Sequence, residues 1–178
     1  MHQSLTFILL VTFLLTSCRP GKFEPDYTNF KHVVKKGKFE LYVPGDMRPD
    51  KKLNSKSDLQ YADTLNTLFL IIIREEIPDL EEDSIEITLE EYFEFAKAGI
   101  AEELTDPDDD NDTVSVINGV DALSCELEGE FAGQDVYYRI TVLSDETYFY
   151  QIIYWTFSAL KASRKDDIFA SVESFKIK

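Results

Sequence analysis

The chain has 178 residues, 44% of them hydrophobic, and a formal net charge of −16 at pH 7. Such a polyanion repels nucleic acid and anionic lipid surfaces, which excludes DNA and RNA as expected partners. Its seven glycines form no phosphate-binding motif, and the sequence indicates neither a nucleotide nor any other cofactor.

The first predicted element is an apolar run from Leu5 to Leu15, interrupted only by two threonines. As a helix it would be about 16 Å long, whereas the hydrocarbon core of a bilayer is about 30 Å thick. The run is therefore too short to cross a membrane, and its length is typical of the hydrophobic region of a targeting signal.

The end of this run, Leu15-Thr16-Ser17-Cys18, resembles the lipobox of bacterial lipoproteins. The resemblance implies a signal peptide over residues 1–17 and a lipid on the sulfur of Cys18, which would anchor the protein in the cell envelope. Residues 1–4 contain no Lys or Arg, unlike a typical signal. The alternatives are an ordinary secretory signal cleaved nearby and a short buried helix, and the lack of an amphipathic pattern in the run argues against the helix. Arg19 resembles the residue that follows the cysteine in outer-membrane lipoproteins, so the outer membrane is the expected location in a cell with two membranes.

Residues 18–30 are predicted to be a linker, because "RPGKFEPDYTNF" mixes Pro, Gly and charged residues without periodicity. Residues 31–178 suffice for a single domain with a sizeable core. If Cys18 carries a lipid, Cys125 is the remaining thiol of the sequence, and no internal disulfide is expected.

Strand and helix signals follow one another along this domain. Apolar residues alternate over Phe39–Val43 before a Pro-Gly pair, and "LFLIII" is apolar on both faces, as in a central strand. Thr88 and Glu91 have the spacing of a capping box ahead of a helix that reaches Leu104. Further predictions are strands over Leu59–Ala62, Leu68–Arg74, Thr113–Ile117, Ala122–Phe131, Val136–Leu143 and Tyr148–Thr156, a helix from Ser158 to about Ser171, and an edge strand in "SFKIK".

Turn residues separate the four predicted strands between residues 113 and 156, which should therefore pair as an antiparallel meander. The predicted strand Tyr148–Thr156 is apolar on both faces. One face carries Tyr148, Tyr150, Ile152 and Tyr154, and the other carries Phe149, Ile153 and Trp155. Both faces of the sheet then need cover. The sequence predicts an α+β domain in which an antiparallel β-sheet of about six to seven strands is covered by helices, a three-layer α/β/α sandwich.

The order of these elements, together with "INGVDALSCELEGE", "YFYQIIYWT" and the closing "SFKIK", resembles the PsbP-like and DcrB-like proteins over residues 31–178. The resemblance implies an antiparallel sheet between helices that serves as a non-enzymatic docking or assembly module. It also implies no catalytic residues, because the family shares none.

The segment "TDPDDDND" has carboxylates at alternate positions: Asp106, Asp108, Asp110 and Asp112. In a tight loop such carboxylates can converge on Ca²⁺, as at the start of an EF-hand loop. The glycine and the bidentate glutamate of that loop are missing, because Asn111 and Ile117 occupy their positions. We expect a mobile, solvated acidic loop over residues 106–112 that binds Ca²⁺ weakly at most.

Reactive side chains are few. His32 is the only histidine beyond the predicted signal peptide, which excludes a catalytic triad and a multi-histidine metal site. Cys125 alternates with Leu123 and Leu127, a pattern that indicates a core residue. The many neighbouring carboxylates have no spacing that singles out an acid and a base. We therefore expect the protein not to be an enzyme.

Four tyrosines in two neighbouring predicted strands form either a core cluster or one wall of a groove for a ligand or partner. They are Tyr137, Tyr148, Tyr150 and Tyr154. The sequence favours a lipid-anchored, non-catalytic docking or assembly module that binds a protein partner. The alternative is a carrier or sensor of a small ligand in a tyrosine-lined groove.

Overall fold

The computed structural model describes residues 25–77 and 87–178, and the predicted signal peptide and Cys18 lie outside these ranges. Within them, no helix is both long and apolar enough to cross a membrane. The elements are β1 (Phe30–Lys35), β2 (Phe39–Pro44), β3 (Arg48–Pro49), β4 (Leu59–Asp63), β5 (Leu68–Glu76), α1 (Leu89–Ala101), β6 (Thr105–Ile117), β7 (Val120–Phe131), β8 (Gln134–Ser144), β9 (Tyr148–Phe157), a 3₁₀ helix (Ser158–Leu160), α2 (Lys161–Glu173) and β10 (Lys176–Ile177).

The described strands form two antiparallel sheets. The larger sheet has seven strands in the order β3-β4-β5-β9-β8-β7-β6, and the small sheet has the order β1-β2-β10. The predicted meander is confirmed, because β6 to β9 pair in sequence. The central position predicted for "LFLIII" is also confirmed, since β5 lies between β4 and β9.

Each face of the larger sheet carries a hydrophobic core. On β9, Tyr150 and Tyr154 belong to one cluster, with β2 and α2, whereas Phe149 and Ile153 belong to the other, with Tyr92 of α1. The prediction of an α+β fold with cover on both faces is therefore confirmed. The small sheet shares one of these faces with α2, an arrangement that the local sequence pattern does not predict.

The predicted capping box of α1 is present. Thr88 Oγ1 accepts the Glu91 N–H at 3.2 Å, and the Glu91 carboxylate accepts the Thr88 N–H at 2.9 Å. The helix ends at Ala101, before the predicted Leu104, whose N–H bonds to the Ala101 carbonyl at 3.1 Å in the turn towards β6. Its buried residues are Tyr92, Phe93 and Ala96.

The acidic segment is part of β6, so the expectation of a loop over residues 106–112 is wrong. Asp108 lies opposite Glu128 of β7, and two register shifts interrupt the ladder on either side of this region. Asp106 and Asn111, with φ of 49° and 63°, lie within these shifts, where Asp and Asn tolerate left-handed backbone. Pairing with the long strand β7 satisfies the backbone and overrides the turn preference of these residues.

The ends of the domain also differ from the prediction. Strand β1 begins at Phe30, inside the predicted linker, and pairs with β2. Helix α2 begins at Lys161 without a side-chain cap, because Ser158 starts a 3₁₀ turn instead. The edge strand predicted in "SFKIK" is confirmed, since β10 pairs with β2.

Candidate functional site

Three of the four predicted groove tyrosines lie in the core. Tyr137, Tyr150 and Tyr154 are at most 1% exposed, whereas Tyr148 is half-buried under the Arg74 guanidinium, 4.1 Å from its ring centroid. Burial raises the pKa of Tyr137 to about 12 and raises the pKa of Tyr154 further. These hydroxyls therefore stay neutral at physiological pH, and the three rings fill the space between the layers.

The structure does not bring the four predicted cation ligands to one point. Asp106 and Asp108 line a cleft of about 390 Å³ together with carboxylates of β7 and β8. Asp112 instead contacts Lys97 of α1, with 3.0 Å between its carboxylate and the ammonium. Asp110 lies opposite Glu126 in the ladder. The register shifts in β6 thus separate these carboxylates.

Lys97 forms ion pairs with the aspartates that face α1. Its ammonium lies 2.9 Å from Asp109, 3.0 Å from Asp112 and 3.3 Å from Glu94. Partial burial opposes the charge, but these three bonds outweigh it and raise the pKa of Lys97. The Cys125 sulfur lies within 4.8 Å of the Asp109 and Asp112 carboxylates. Burial, and then these two charges, raise the pKa of Cys125 to about 12, and the thiol is protonated at neutral pH.

We expect β6 to bind Ca²⁺ more weakly than a sensor site, whose dissociation constant is about 10⁻⁷–10⁻⁵ M. The reason is that Lys97 already holds two of the aspartates, and the turn and bidentate glutamate of an EF-hand are missing. Titration calorimetry with calcium chloride measures the affinity, and the Lys97→Met control should bind more tightly. Micromolar affinity that disappears in the double variant Asp108→Asn and Asp110→Asn would contradict this expectation.

Strand β6 forms one edge of the larger sheet, and its two halves differ in character. The first half, residues 105–112, contains five aspartates, Pro107 and the register shifts. Charge, proline and bulges are the features that prevent a sheet edge from pairing with another strand. The second half, residues 113–117, contains no charged residue and no proline, and pairs regularly with β7. We call residues 113–117 the open edge.

The open edge directs backbone groups of Val114 and Val116 away from the sheet. The two-residue turn Asn118-Gly119, with φ of 49° and 89°, joins β6 to β7. The residues that flank such a turn form a hydrogen-bonded pair, and bonded pairs then alternate with non-bonded pairs. Ile117 therefore bonds to β7, whereas Val114 and Val116 belong to non-bonded pairs. Their N–H and C=O groups face outward.

The side chains of the same two valines are also unusually accessible. Val114 is 82% exposed and Val116 is 61% exposed. Val114 lies opposite Leu123, which packs against the core beneath α1. A groove of about 870 Å³ lies beside Val114, between the open edge, the start of α1 and the turn from β8 to β9. We call it the edge groove, and its lining includes Leu89, Glu90, Val114, Asp121, Leu123 and Glu146.

The rim of the edge groove is negative. Glu90, Asp121 and Glu146 are exposed, and none of them forms an ion pair with another residue of the described ranges. Leu89, Val114 and Leu123 supply apolar parts of the same lining. The surface therefore suits a partner that combines apolar residues with positive charge.

The other sheet edges among the described residues are protected. At the opposite edge of the larger sheet, β3 has two residues, Arg48–Pro49. In the small sheet, β10 also has two residues, and β1 contains Lys31 and Lys35. Short strands, proline and lysine all discourage pairing with another chain. The open edge lacks each of these features, which makes it the candidate site.

Sequence reasoning predicts a strand over residues 113–117 but does not assign a role to Val114 or Val116. The alternation of "TVSVI" indicates a half-buried strand, and the position of a strand within a sheet depends on pairing order. The neighbouring aspartate run could have indicated that this strand lies at a sheet edge, because consecutive aspartates in a strand are tolerated best there.

The sequence matches no protein-family model and none of the curated proteins. Solved structures share the fold. Cyanobacterial PsbP (CyanoP) from Synechocystis sp. PCC 6803 has a TM-score of 0.59 and 13% identity over 92% of this chain and 99% of that one. LpqN, involved in cell envelope biogenesis of Mycobacterium tuberculosis, has a TM-score of 0.60 and 15% identity over 84% and 90%. A Bacteroides thetaiotaomicron protein has a TM-score of 0.56 and 9% identity over 84% of this chain and 49% of its own. The chain thus has a PsbP-like fold.

Proposed function

We propose that this protein is a lipid-anchored, non-catalytic docking module of the cell envelope, and that it binds a protein partner at the open edge and the edge groove. The observation that carries the proposal is an uncharged strand edge with two exposed valines in a chain of net charge −16. Such an edge is an aggregation hazard when nothing binds it. A partner for this edge explains why it stays apolar while the other edges are protected.

The anchor follows from the sequence before the domain. Cys18 ends the lipobox-like segment, and about a dozen residues between it and β1 would give the domain limited reach from a membrane. Several acyl chains, at about 0.8 kcal/mol for each buried CH₂, would hold a protein with this unfavourable charge. The envelope role of LpqN, which shares the fold, supports this location.

The positions of the reactive side chains Cys125 and His32 support a non-catalytic role. Cys125 is buried and its pKa is raised, and His32 pairs with Glu40 at 3.3 Å at the surface of the small sheet. Catalysis requires a cluster of unlike reactive groups around one accessible point. The carrier alternative is less well supported, because Tyr137, Tyr150 and Tyr154 fill the core and cannot line a groove for a ligand.

Site-specific photo-crosslinking in cells tests this function. A photo-crosslinking amino acid in place of Val114 should give one defined protein adduct by mass spectrometry, and the yield should fall above about 0.15 M salt because exposed charges are then screened. The matched control is the same amino acid in place of Leu65, which is 93% exposed in the β4–β5 turn. The Cys18→Ala variant should lose both membrane association and the adduct.

Two results would contradict the proposal. One is an adduct pattern that is identical at positions 114 and 65, which would indicate non-specific contact. The other is an unchanged membrane fraction for Cys18→Ala, which would remove the lipid anchor. A small molecule that copurifies with the protein, with no protein adduct at position 114, would favour the carrier alternative.

A further inference from the structure

We infer that the occupant of the open edge is an extended polypeptide segment, rich in lysine or arginine, that pairs with β6 as an additional strand of the larger sheet. This inference rests on the proposed docking function and specifies the partner's chemistry and binding mode. It follows from the backbone groups, the side chains and the charge around the open edge.

The backbone supplies the first argument. A partner that covered only the valine side chains would also remove water from the outward N–H and C=O groups of Val114 and Val116. A buried backbone group without a hydrogen-bond partner costs about 1–3 kcal/mol. A strand that pairs along the open edge satisfies all four groups as it covers the valines. Strand pairing is therefore the binding mode in which coverage of this edge carries no such penalty.

The side chains define the pattern of the partner. On the α1 face, apolar residues of the added strand would lie about 4.5–5.5 Å from Val114 and Val116 across the new pair. The opposite face of the open edge begins with Thr113, which is exposed, and Ser115, which is half-buried. Polar residues of the added strand fit there. The expected segment thus alternates apolar and polar residues.

The charge of the partner follows from the carboxylates that lack an ion-pair partner around the open edge. Asp110 precedes the open edge along β6, and Glu90, Asp121 and Glu146 surround the groove. Lys97 forms ion pairs with Asp109 and Asp112 but has no described contact with these four. The groove carboxylates share the α1 face with Val114 and Val116, whereas Asp110 lies on the face of Thr113 and Ser115. Basic side chains at the polar positions therefore gain attraction to Asp110, and a basic residue that flanks the apolar positions gains attraction to the groove carboxylates. An acidic segment or a second copy of this chain, itself at −16, is repelled.

The experiment uses the purified full-length protein and a synthetic peptide of about nine residues that alternates lysine and valine. Fluorescence anisotropy measures the affinity. Val116→Pro removes an outward N–H without removing a bond to β7, and proline is tolerated at a sheet edge. We expect this variant to bind the peptide about tenfold more weakly. Val116→Thr keeps the shape and the N–H, so it should bind within about twofold of the wild type.

A modified peptide keeps the test valid if Val116→Pro does not fold, as judged by circular dichroism. Methylation of alternate backbone nitrogens removes the donors on one edge of the peptide, and methylation of the other set removes those on the opposite edge. One methylated peptide should lose binding to the wild type and the other should retain it, since only one edge of a strand faces β6. A glutamate–valine peptide should bind far more weakly than the lysine–valine peptide.

Several results would overturn the inference. Equal binding by Val116→Pro and by both methylated peptides would show docking through side chains alone, with the proposed function intact. Equal binding of the glutamate–valine peptide would remove the basic partner class. A dimer in sedimentation that Val116→Pro abolishes would identify a second copy as the occupant. If no peptide binds while the crosslink at position 114 persists, strand addition fails and docking stands; if the crosslink also fails, both proposals fall.

Discussion

Replacement of Tyr154 by alanine should lower the free energy of unfolding by about 3–5 kcal/mol. The ring is fully buried between β9, β2 and α2. Its hydroxyl donates to Ser171 Oγ at 2.5 Å, and Ser171 Oγ donates to the Tyr42 carbonyl at 2.5 Å. The side chain thus links the larger sheet to α2 and the small sheet. Alanine would leave a cavity and break this chain of hydrogen bonds.

Tyr154→Phe separates packing from hydrogen bonding. It keeps the ring and loses only the hydroxyl, which should cost about 1–2 kcal/mol. Leu65→Ala is the exposed control and should change stability by no more than about 0.5 kcal/mol. Urea denaturation followed by circular dichroism measures all three variants. Equal losses for Tyr154→Phe and Tyr154→Ala would contradict the assignment of most of the effect to packing.

Glu126→Gln should cost about 3 kcal/mol, because it removes a buried carboxylate that pairs with the largely buried Arg139. The Glu126 carboxylate is 5% exposed and lies 2.7 Å from Lys165, 3.2 Å from Lys161 and 3.5 Å from Arg139. Arg139 is itself only 13% exposed. Glutamine preserves the shape of the side chain but leaves Arg139 without this ion pair, whereas Lys161 keeps Glu128 and Lys165 is half-exposed.

The cost of Glu126→Gln should also depend on pH. Burial acts to raise the pKa of Glu126, but hydrogen bonds from Lys165 and Lys161 outweigh it and hold the pKa below its ordinary value. A carboxyl group with a lowered pKa stabilises the fold above its unfolded pKa, about 4.3, and loses that effect as the pH falls through the folded value. The stability difference between wild type and variant should therefore be largest near neutral pH and shrink below about pH 4.3.

Glu128→Gln is the matched control for the stability loss of Glu126→Gln and for its pH dependence. Glu128 contacts the same Lys161 at 2.7 Å but is 38% exposed, so its loss should cost less than about 1 kcal/mol. Urea unfolding between about pH 3 and 7 measures both variants against the wild type. A difference for Glu126→Gln that stays constant across this range would show that its charge contributes nothing.

The parts of the fold that sequence reasoning predicts are those with strong local patterns. In β9 the apolar residues on both faces require cover on both sides, and the two cores beside Tyr150 and Phe149 provide it. Thr88 and Glu91 define the start of α1 through contacts only three residues apart. In both cases the information lies within one element.

The parts that sequence reasoning misses depend on distant partners. Residues 106–112 consist of turn-forming residues, and only pairing with β7 makes them a strand. Strand β1 is half-exposed at the edge of the small sheet, so its apolar alternation is weak and the sequence pattern predicts no strand there. The role of Val114 and Val116 depends on the position of β6 within the sheet. Pairing order decides that position, and no local pattern encodes it.

The strand order also constrains how the chain folds. Ile72 of β5 pairs with Ile152 of β9, so the hairpin of β4 and β5 meets its neighbour only after the whole β6–β9 meander has been synthesised. Such distant contacts require loop closure before they contribute stability, which slows folding. Until then the apolar strand β5 has a hydrogen-bonded neighbour along one edge only, which is β4. During synthesis this hairpin is therefore the segment most in need of a chaperone, and translation that stops before β9 should yield an aggregating fragment.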